Sequence, residues 1–421
     1  MRYDVIVIGG GLSALSCGIA IAMDGKNVAL MVKGQSKFTY NSGSIDLLGF
    51  DQQGNVVENP LDAIAALPES HPYSKISAAD IVHNASMVPV LMGGAGLKFF
   101  GDIDINRNHY RMTPLGLWRP AWLTHDDYLA LDAIDELQWN RVAVVGIKGF
   151  LDFPANYIHA GLLGMGADSK LIEVKLPAVE RLTNSQTVLR SNAVAQQFKN
   201  DGVLSDFARR IKSEMGDAQM VVLPGVIGLE NDGAVSHMRQ LLGVPVKLVS
   251  TLPPCVAGLD LLSRLRKLFI KHGGTYLLGS MVKDGVIKDN RVECIHAKNF
   301  PDQDIVADHY VLATGSFMSG GLVASNQEVK EPIFGLDIDC DSDRGKWTRE
   351  CLFDSQPYME YGVKTDAGFH VIKNGEPVEN LYAIGSILSG HNSVRLADDT
   401  GVAIMTGLQV ARSLRAHILP Q

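Results

Sequence analysis

At 421 residues, with 46% hydrophobic and 20% charged residues, the chain exceeds the roughly 250–300 residues that one core serves, so a second domain is expected and a large disordered tail is not. Its net charge of −8, with 38 basic residues scattered along the sequence, offers no stripe suited to a nucleic acid. Cys17, Cys255, Cys294, Cys340 and Cys351 lie far apart with no C-x-x-C pair, which reads as reduced thiols and excludes a zinc or iron–sulfur site drawn from closely spaced thiolates.

From Val5 to Met23 no residue is charged, a length that approaches a membrane span. Gly9, Gly10 and Gly11 divide it, and a strand, a turn and a helix fit better. Val5-Ile6-Val7-Ile8 is a β-branched run suited to a strand buried on both faces. Gly9-Gly10-Gly11-Leu12-Ser13-Ala14 then gives a G-x-G-x-x-A fingerprint. Gly9 permits the tight turn, Gly11 lets the backbone approach a phosphate, and Ala14 lets helix and strand pack closely. The helix is predicted to reach about Met23, and Val28 to Val32 forms the second strand. A dinucleotide-binding unit places an acid there for the adenosine ribose; this sequence has Val32 and Lys33. An adenine dinucleotide thereby loses its ribose anchor, whereas FMN needs none. Lys33 reads either as a phosphate partner or as an exposed lysine at a strand end.

Residues from about 50 to 140 look irregular, with a helix near Ala78 to Met92. A strand starts at Arg141, a helix follows Pro154, and a strand lies around Leu171 to Val174. Met220 to Pro224, a helix near His237, and Val246 to Val249 make a third unit. These alternations predict an α/β cap domain. Gly146-Ile147-Lys148-Gly149 imitates the first loop without its third small residue, and reads as an ordinary βα turn. No H-E-x-x-H, G-x-S-x-G or P-loop pattern occurs, which removes metalloprotease, α/β-hydrolase and P-loop readings; no metal site is expected.

After Gly258 a helix carrying Arg264, Arg266, Lys267 and Lys271 leads to a strand and a hairpin. Tyr310 to Leu312 closes on Ala313, Thr314 and Gly315, which resembles the second signature of two-dinucleotide-binding-domain flavoproteins. Gly362 to Asp366, through Asn380 to Gly385 and Ser386, resembles their final strand, where backbone meets the flavin ribityl chain. A last helix is expected near Gly401 and Val402, with its positive end towards the flavin pyrimidine. The concordance predicts an α/β, Rossmann-like flavoprotein fold of the FAD/NAD(P)-binding type. Residues 1–50 and 251–421 form its flavin-binding domain, with 51–250 inserted as the cap. For hydride removal from an alcohol, His391 is the candidate base, against a solvated loop histidine. Arg119 and Arg395 are candidates for a substrate phosphate, against surface pairing.

Over nearly its whole length the chain also resembles the anaerobic glycerol-3-phosphate dehydrogenase B-subunit family. The matching blocks include Met1-Arg2-Tyr3-Asp4, Ser42-Gly43-Ser44-Ile45-Asp46-Leu47-Leu48, Thr113-Pro114-Leu115-Gly116 and Gly149-Phe150-Leu151-Asp152-Phe153. Thr251-Leu252-Pro253-Pro254, Gly315 to Val323 and Glu331 to Asp337 extend the likeness. The resemblance implies an FMN-bearing subunit, with FAD as the alternative, and adds Ser42, Gly43 and Ser44 to the flavin contacts. It further implies an FAD-bearing catalytic partner and an iron–sulfur subunit at the inner membrane. Together these oxidise glycerol 3-phosphate to dihydroxyacetone phosphate and feed the quinone pool in fumarate or nitrate respiration, with this subunit cytoplasmic and lacking a transmembrane segment. Where the family has a glycine-rich run, this sequence reads Leu396-Ala397-Asp398-Asp399-Thr400-Gly401. Two carboxylates there either repel a reduced flavin or cap the helix. A self-contained FAD dehydrogenase of the fumarate-reductase-like type and a non-redox flavin-binding accessory subunit are the competing readings.

Overall fold

The computed structural model describes residues 1–134, 137–183 and 188–418. The first strand, β1 (Arg2–Ile8), is followed by helix α1 (Leu12–Met23) and by β2 (Val28–Val32). Val5, Ile6 and Val7 are fully buried, because β1 runs parallel between β2 and the end of a long strand, Phe300–Leu312. Thr275–Leu278 adds to β2 in parallel, and Leu381–Ala383 of the Glu376–Ala383 strand adds to the far side of Phe300–Leu312. The two halves of Phe300–Leu312 do different work. Its second half belongs to this parallel sheet, whereas its first half pairs antiparallel with Arg291–Ala297 and so extends the sheet into a hairpin.

Helix α1 is buried from Leu12 to Ala22, which explains why it carries no charge: no face meets water. The last helix, Asp399–Ile418, crosses it closely at Gly407, where a Cβ would stand 2.9 Å from the Ser13 carbonyl. Burial pushes the Cys17 thiol up to about 12, the behaviour of an inert core residue. All five cysteines are free.

A second, wholly parallel sheet is ordered Asp168–Val174, Arg141–Ile147, Met220–Pro224, Val246–Val249. The helices Ala155–Gly164, Asp201–Glu214 and Ala234–Leu242 make its crossovers. The buried apolar residues accordingly form two cores. One lies around β1 and also takes in Val57, Tyr73, Ile81 and Trp122 from the irregular stretch. The other runs from Val142 to Val256 and takes in Met112 and Leu129.

Two small three-stranded sheets occupy the seam between the cores. Ser44–Ile45, Leu123–His125 and Phe99–Phe100 make one, and Trp118–Ala121, His109–Met112 and Ala130–Leu131 the other. The sequence reading finds no strands here because two- to four-residue strands are too short to show a period. The last helix begins at Asp399, two residues before the expected Gly401. Among the described residues, no helix is long and apolar enough to cross a membrane.

Candidate functional site

A cavity of about 930 Å³ opens at the carboxyl ends of β1 and β2 and beside the end of Phe300–Leu312. Gly9 to Ser13 line it. Gly9 has φ +149° and its Cβ would collide with the Ala313 carbonyl, so the turn tolerates no side chain. A Cβ on Gly10 would overlap Val32, but one on Gly11 would meet only Ser36 Oγ, at 3.1 Å. Helix α1 has no side-chain cap and no acid in its first turn, so its first amides keep their positive end for an anion. These features suit a flavin phosphate. The cavity extends from the glycine loop towards Ser386, Thr400 and Ala403 on one side, room for a ribityl chain, and towards Ser280 to Lys283 on the other.

Of the residues expected at the flavin, Gly9, Gly10, Gly11, Leu12, Ser13, Lys33, Ala313, Thr314, Gly315 and Ser386 line the cavity. Ala14 lies behind it, fully buried. Gly385 backs onto α1: its φ is +71°, a Cβ would stand 2.7 Å from Ser13 Oγ, and its amide donates to Thr406 Oγ1 at 2.9 Å. Gly401 packs against Tyr73 and Leu47, and its amide donates to the Asp46 carbonyl at 2.9 Å; Val402 is core. Ser42, Gly43 and Ser44 form a turn outside the cavity wall. There the Asn41 side chain accepts from the Gly43 amide and donates to the Ser44 carbonyl.

Both aspartates at the start of the last helix have basic side-chain partners. Asp399 reaches Lys37 Nζ at 2.9 Å, and both line the cavity. Asp398 is fully buried between two histidines, with Oδ2 2.9 Å from His71 Nε2 and Oδ1 3.4 Å from His391 Nδ1. His71 Nδ1 accepts from the Tyr73 amide, so its proton sits on Nε2 and is donated to Asp398. Burial alone would raise the Asp398 carboxyl, but the charge and hydrogen bond of His391, with the His71 hydrogen bond, hold it well below the usual carboxylate range. Burial also works against charging His391, and the charge and hydrogen bond of Asp398 carry it above its ordinary value. At His71 burial prevails and lowers the pKa. Each of the two carboxylates thus has a basic partner.

His391 is a buried member of this network rather than a solvated loop residue, and it does not line the cavity. His71 escapes the sequence reading because its partner lies 327 residues away and a histidine before a proline carries no signal. Arg395 is exposed and donates to the Gln52 carbonyl at 2.7 Å. Arg119 sits over the Phe50 ring, 5.4 Å from its centre. Opposite it, unforeseen, is the buried Arg111, 3.8 Å from Asp46.

Against known proteins, residues 4–397 match the FAD binding domain family. The chain is 37% identical over 421 residues to the anaerobic glycerol-3-phosphate dehydrogenase B-subunit of Yersinia pseudotuberculosis, covering 98% of each chain. It is 34% identical over 417 residues to the B-subunit of Pectobacterium atrosepticum, covering 98% of this chain and 99% of that one. Among solved structures, 3-ketosteroid delta1-dehydrogenase from Sterolibacterium denitrificans is 12% identical, with a TM-score of 0.46 over 99% of this chain and 100% of that one.

Proposed function

Because the chain belongs to the anaerobic glycerol-3-phosphate dehydrogenase B-subunit family, we propose that it is the flavin-bearing subunit through which sn-glycerol 3-phosphate is oxidised to dihydroxyacetone phosphate, with electrons leaving for the quinone pool. The observation that carries this reading is the glycine-lined cavity at the uncapped start of α1. A bound flavin would supply the acceptor for the hydride from the secondary alcohol. Gly11, Leu12 and Ser13 would hold its phosphate, and Ser386 and Thr400 would border the ribityl chain.

His391, the candidate base, is buried behind the cavity lining with its Nδ1 on Asp398, so a positioning role is proposed for it, holding the Asp398 carboxylate at the start of the last helix beside the cavity-lining Asp399. The flavin is proposed as FMN, since Val32 and Lys33 offer the ribose no carboxylate; FAD would need the lobe along Ser280 to Lys283. Residues 51–250 are proposed as the cap inserted into the flavin domain; the separate core from Val142 to Val256 supports its later part, whereas Val57, Tyr73, Ile81 and Trp122 pack with the flavin-domain core.

The proposed partners are an FAD-bearing catalytic subunit and an iron–sulfur subunit at the inner membrane, since no C-x-x-C pair occurs and electrons need a relay to reach quinone. The test is an assay of the flavin-loaded chain with glycerol 3-phosphate and a membrane quinone, before and after adding both partners. Turnover only with partners is expected. Full turnover without them would refute the subunit reading in favour of a self-contained dehydrogenase, and chromatography of the heat-released flavin decides between FMN and FAD.

A further inference from the structure

We propose that Arg111 and Arg119 together form an anion-binding pair, built for the phosphate of a small phosphate monoester, at the seam beside the flavin cavity. The antiparallel strands His109–Met112 and Trp118–Ala121 set the two arginines directly opposite each other. Like charges in that relation destabilise a sheet. Arg111 is only 9% exposed. Among the described residues its one ion pair is with Asp46, at 3.8 Å, and its Nε has no hydrogen-bond partner. Arg119 has no ion pair among the described residues, and its Nε is likewise buried without a partner; its guanidinium lies on the Phe50 ring.

The two facing guanidinium groups thus have one paired carboxylate between them, on buried Arg111, and each has a buried Nε without a partner, where a cation ordinarily requires both pairing and full hydrogen bonding. A dianionic phosphate balances that surplus. Its oxygens also accept from the planar donor edges of two arginines, one on each side. A neutral polyol supplies no charge to the site.

The pair is tied to the cavity from two directions. Asp46 receives a hydrogen bond from Ser44 Oγ at 3.1 Å, and its amide donates to Thr400 Oγ1 at 2.7 Å; Thr400 lines the cavity. On the other side Cys255 lies close enough to Arg111 for the guanidinium to act on its thiol, and its amide donates to the carbonyl of Thr39, also in the lining. A phosphate held by Arg111 and Arg119 is therefore one residue removed from the flavin cavity wall. The inference deepens the dehydrogenase reading and rests on it for the rest of the ligand, while the anion itself rests on the arginines.

The flavin-loaded full chain, in which the α1 end is already occupied, is titrated by calorimetry with inorganic phosphate and with sn-glycerol 3-phosphate. Wild type is expected to bind both, and phosphate to raise its thermal midpoint. Arg111→Gln and Arg119→Gln should each weaken binding about tenfold or more at unchanged flavin content, as loss of a charged hydrogen-bonding partner does, and Arg111→Lys should recover part of it. Arg119→Gln keeps the test open if the buried variant fails to fold. Absence of phosphate binding in wild type, or unchanged binding in the glutamine variants, overturns the pair. If both ligands are lost together and the partner-containing complex shows a raised KM with kcat little changed, pair and substrate reading both stand. Arginine-dependent phosphate binding that glycerol 3-phosphate does not displace leaves the pair standing and removes glycerol 3-phosphate as its ligand.

Discussion

The strand Arg141–Ile147 runs through Gly146 and Gly149 into the helix Ala155–Gly164, much as β1 runs through Gly9 and Gly11 into α1, yet the first of these loops in the chain borders a cavity and the second is filled. Three residues separate β1 from α1, and no side chain caps that helix. Seven separate the other strand from its helix, and they bring Phe150 and Phe153 into the core. The second helix also uses its first amides locally: Ala155 donates to the Phe153 carbonyl at 2.9 Å and Tyr157 to the Pro154 carbonyl at 3.0 Å. A glycine loop binds an anion when the helix begins at once and its amides stay uncommitted; glycines alone do not suffice. The charges divide likewise. Asp398 is buried next to the cavity-lining Asp399 on the side of the first loop, whereas Asp152 beside the second is buried against Arg190 and Ser191.

Substitution at Gly9 should break the first unit outright. With φ +149° and the Ala313 carbonyl in the way, Gly9→Ala must push apart β1 and Phe300–Leu312 or distort the turn, at a cost on the order of 3–5 kcal/mol. Chemical denaturation that leaves the midpoint unchanged would count against this account. Gly11→Val separates ligand from fold. The backbone there has φ −84°, open to any residue, and a Cβ touches only Ser36 Oγ. The chain should fold with unaltered circular dichroism, while flavin content falls to about a tenth or less, because the side chain fills the space of the phosphate. Stoichiometric flavin in the variant removes the site from the α1 end.

Long elements and the glycine loop were legible in the sequence because they are periodic and local. Helix α1 ends at Met23 and β2 spans Val28–Val32, as the pattern indicates. The lining of the cavity by Ala313, Thr314, Gly315 and Ser386 follows from short motifs at strand ends. What stayed hidden depends on distant pairing. Asp398 reads as a helix cap because Asp is a good N-cap residue, but His71 and His391 claim its oxygens. Arg111 lies in a stretch whose short strands show no period, and only the register sets it against Arg119.

The buried charges give the first region a pH signature around its two histidines. The pKa of His391 is raised in the folded chain, against burial, by Asp398 and more weakly by Asp399, with Lys37 opposing. Its stabilisation is then fully present below its unfolded value of about 6.5 and is lost as pH rises through the higher folded value. His71, lowered mainly by burial with Asp398 and Glu360 opposing, acts in the other sense, losing stability as pH falls below about 6.5. Urea denaturation between pH 6 and 9 should therefore show the advantage of wild type over His391→Gln shrinking with pH. Parallel profiles for the two proteins would mean that His391 does not hold a proton on Asp398.

The smallest effect is expected at Gly149, and it sharpens the contrast from the closed side. Its φ of +84° is a left-handed conformation that alanine adopts at a cost of roughly 1 kcal/mol, and the nearest atom to an added Cβ is Leu189 Cδ1 at 3.9 Å, so no collision adds to that cost. Gly149→Ala should lower stability by about that amount and leave flavin content at the wild-type level, since Phe150 and Phe153 already occupy the space a ligand would need. Flavin absorbance and a denaturation midpoint measured on the same sample separate the two quantities. A fall in flavin content without a comparable loss of stability would place a ligand contact at the second loop and erase the distinction between the two units.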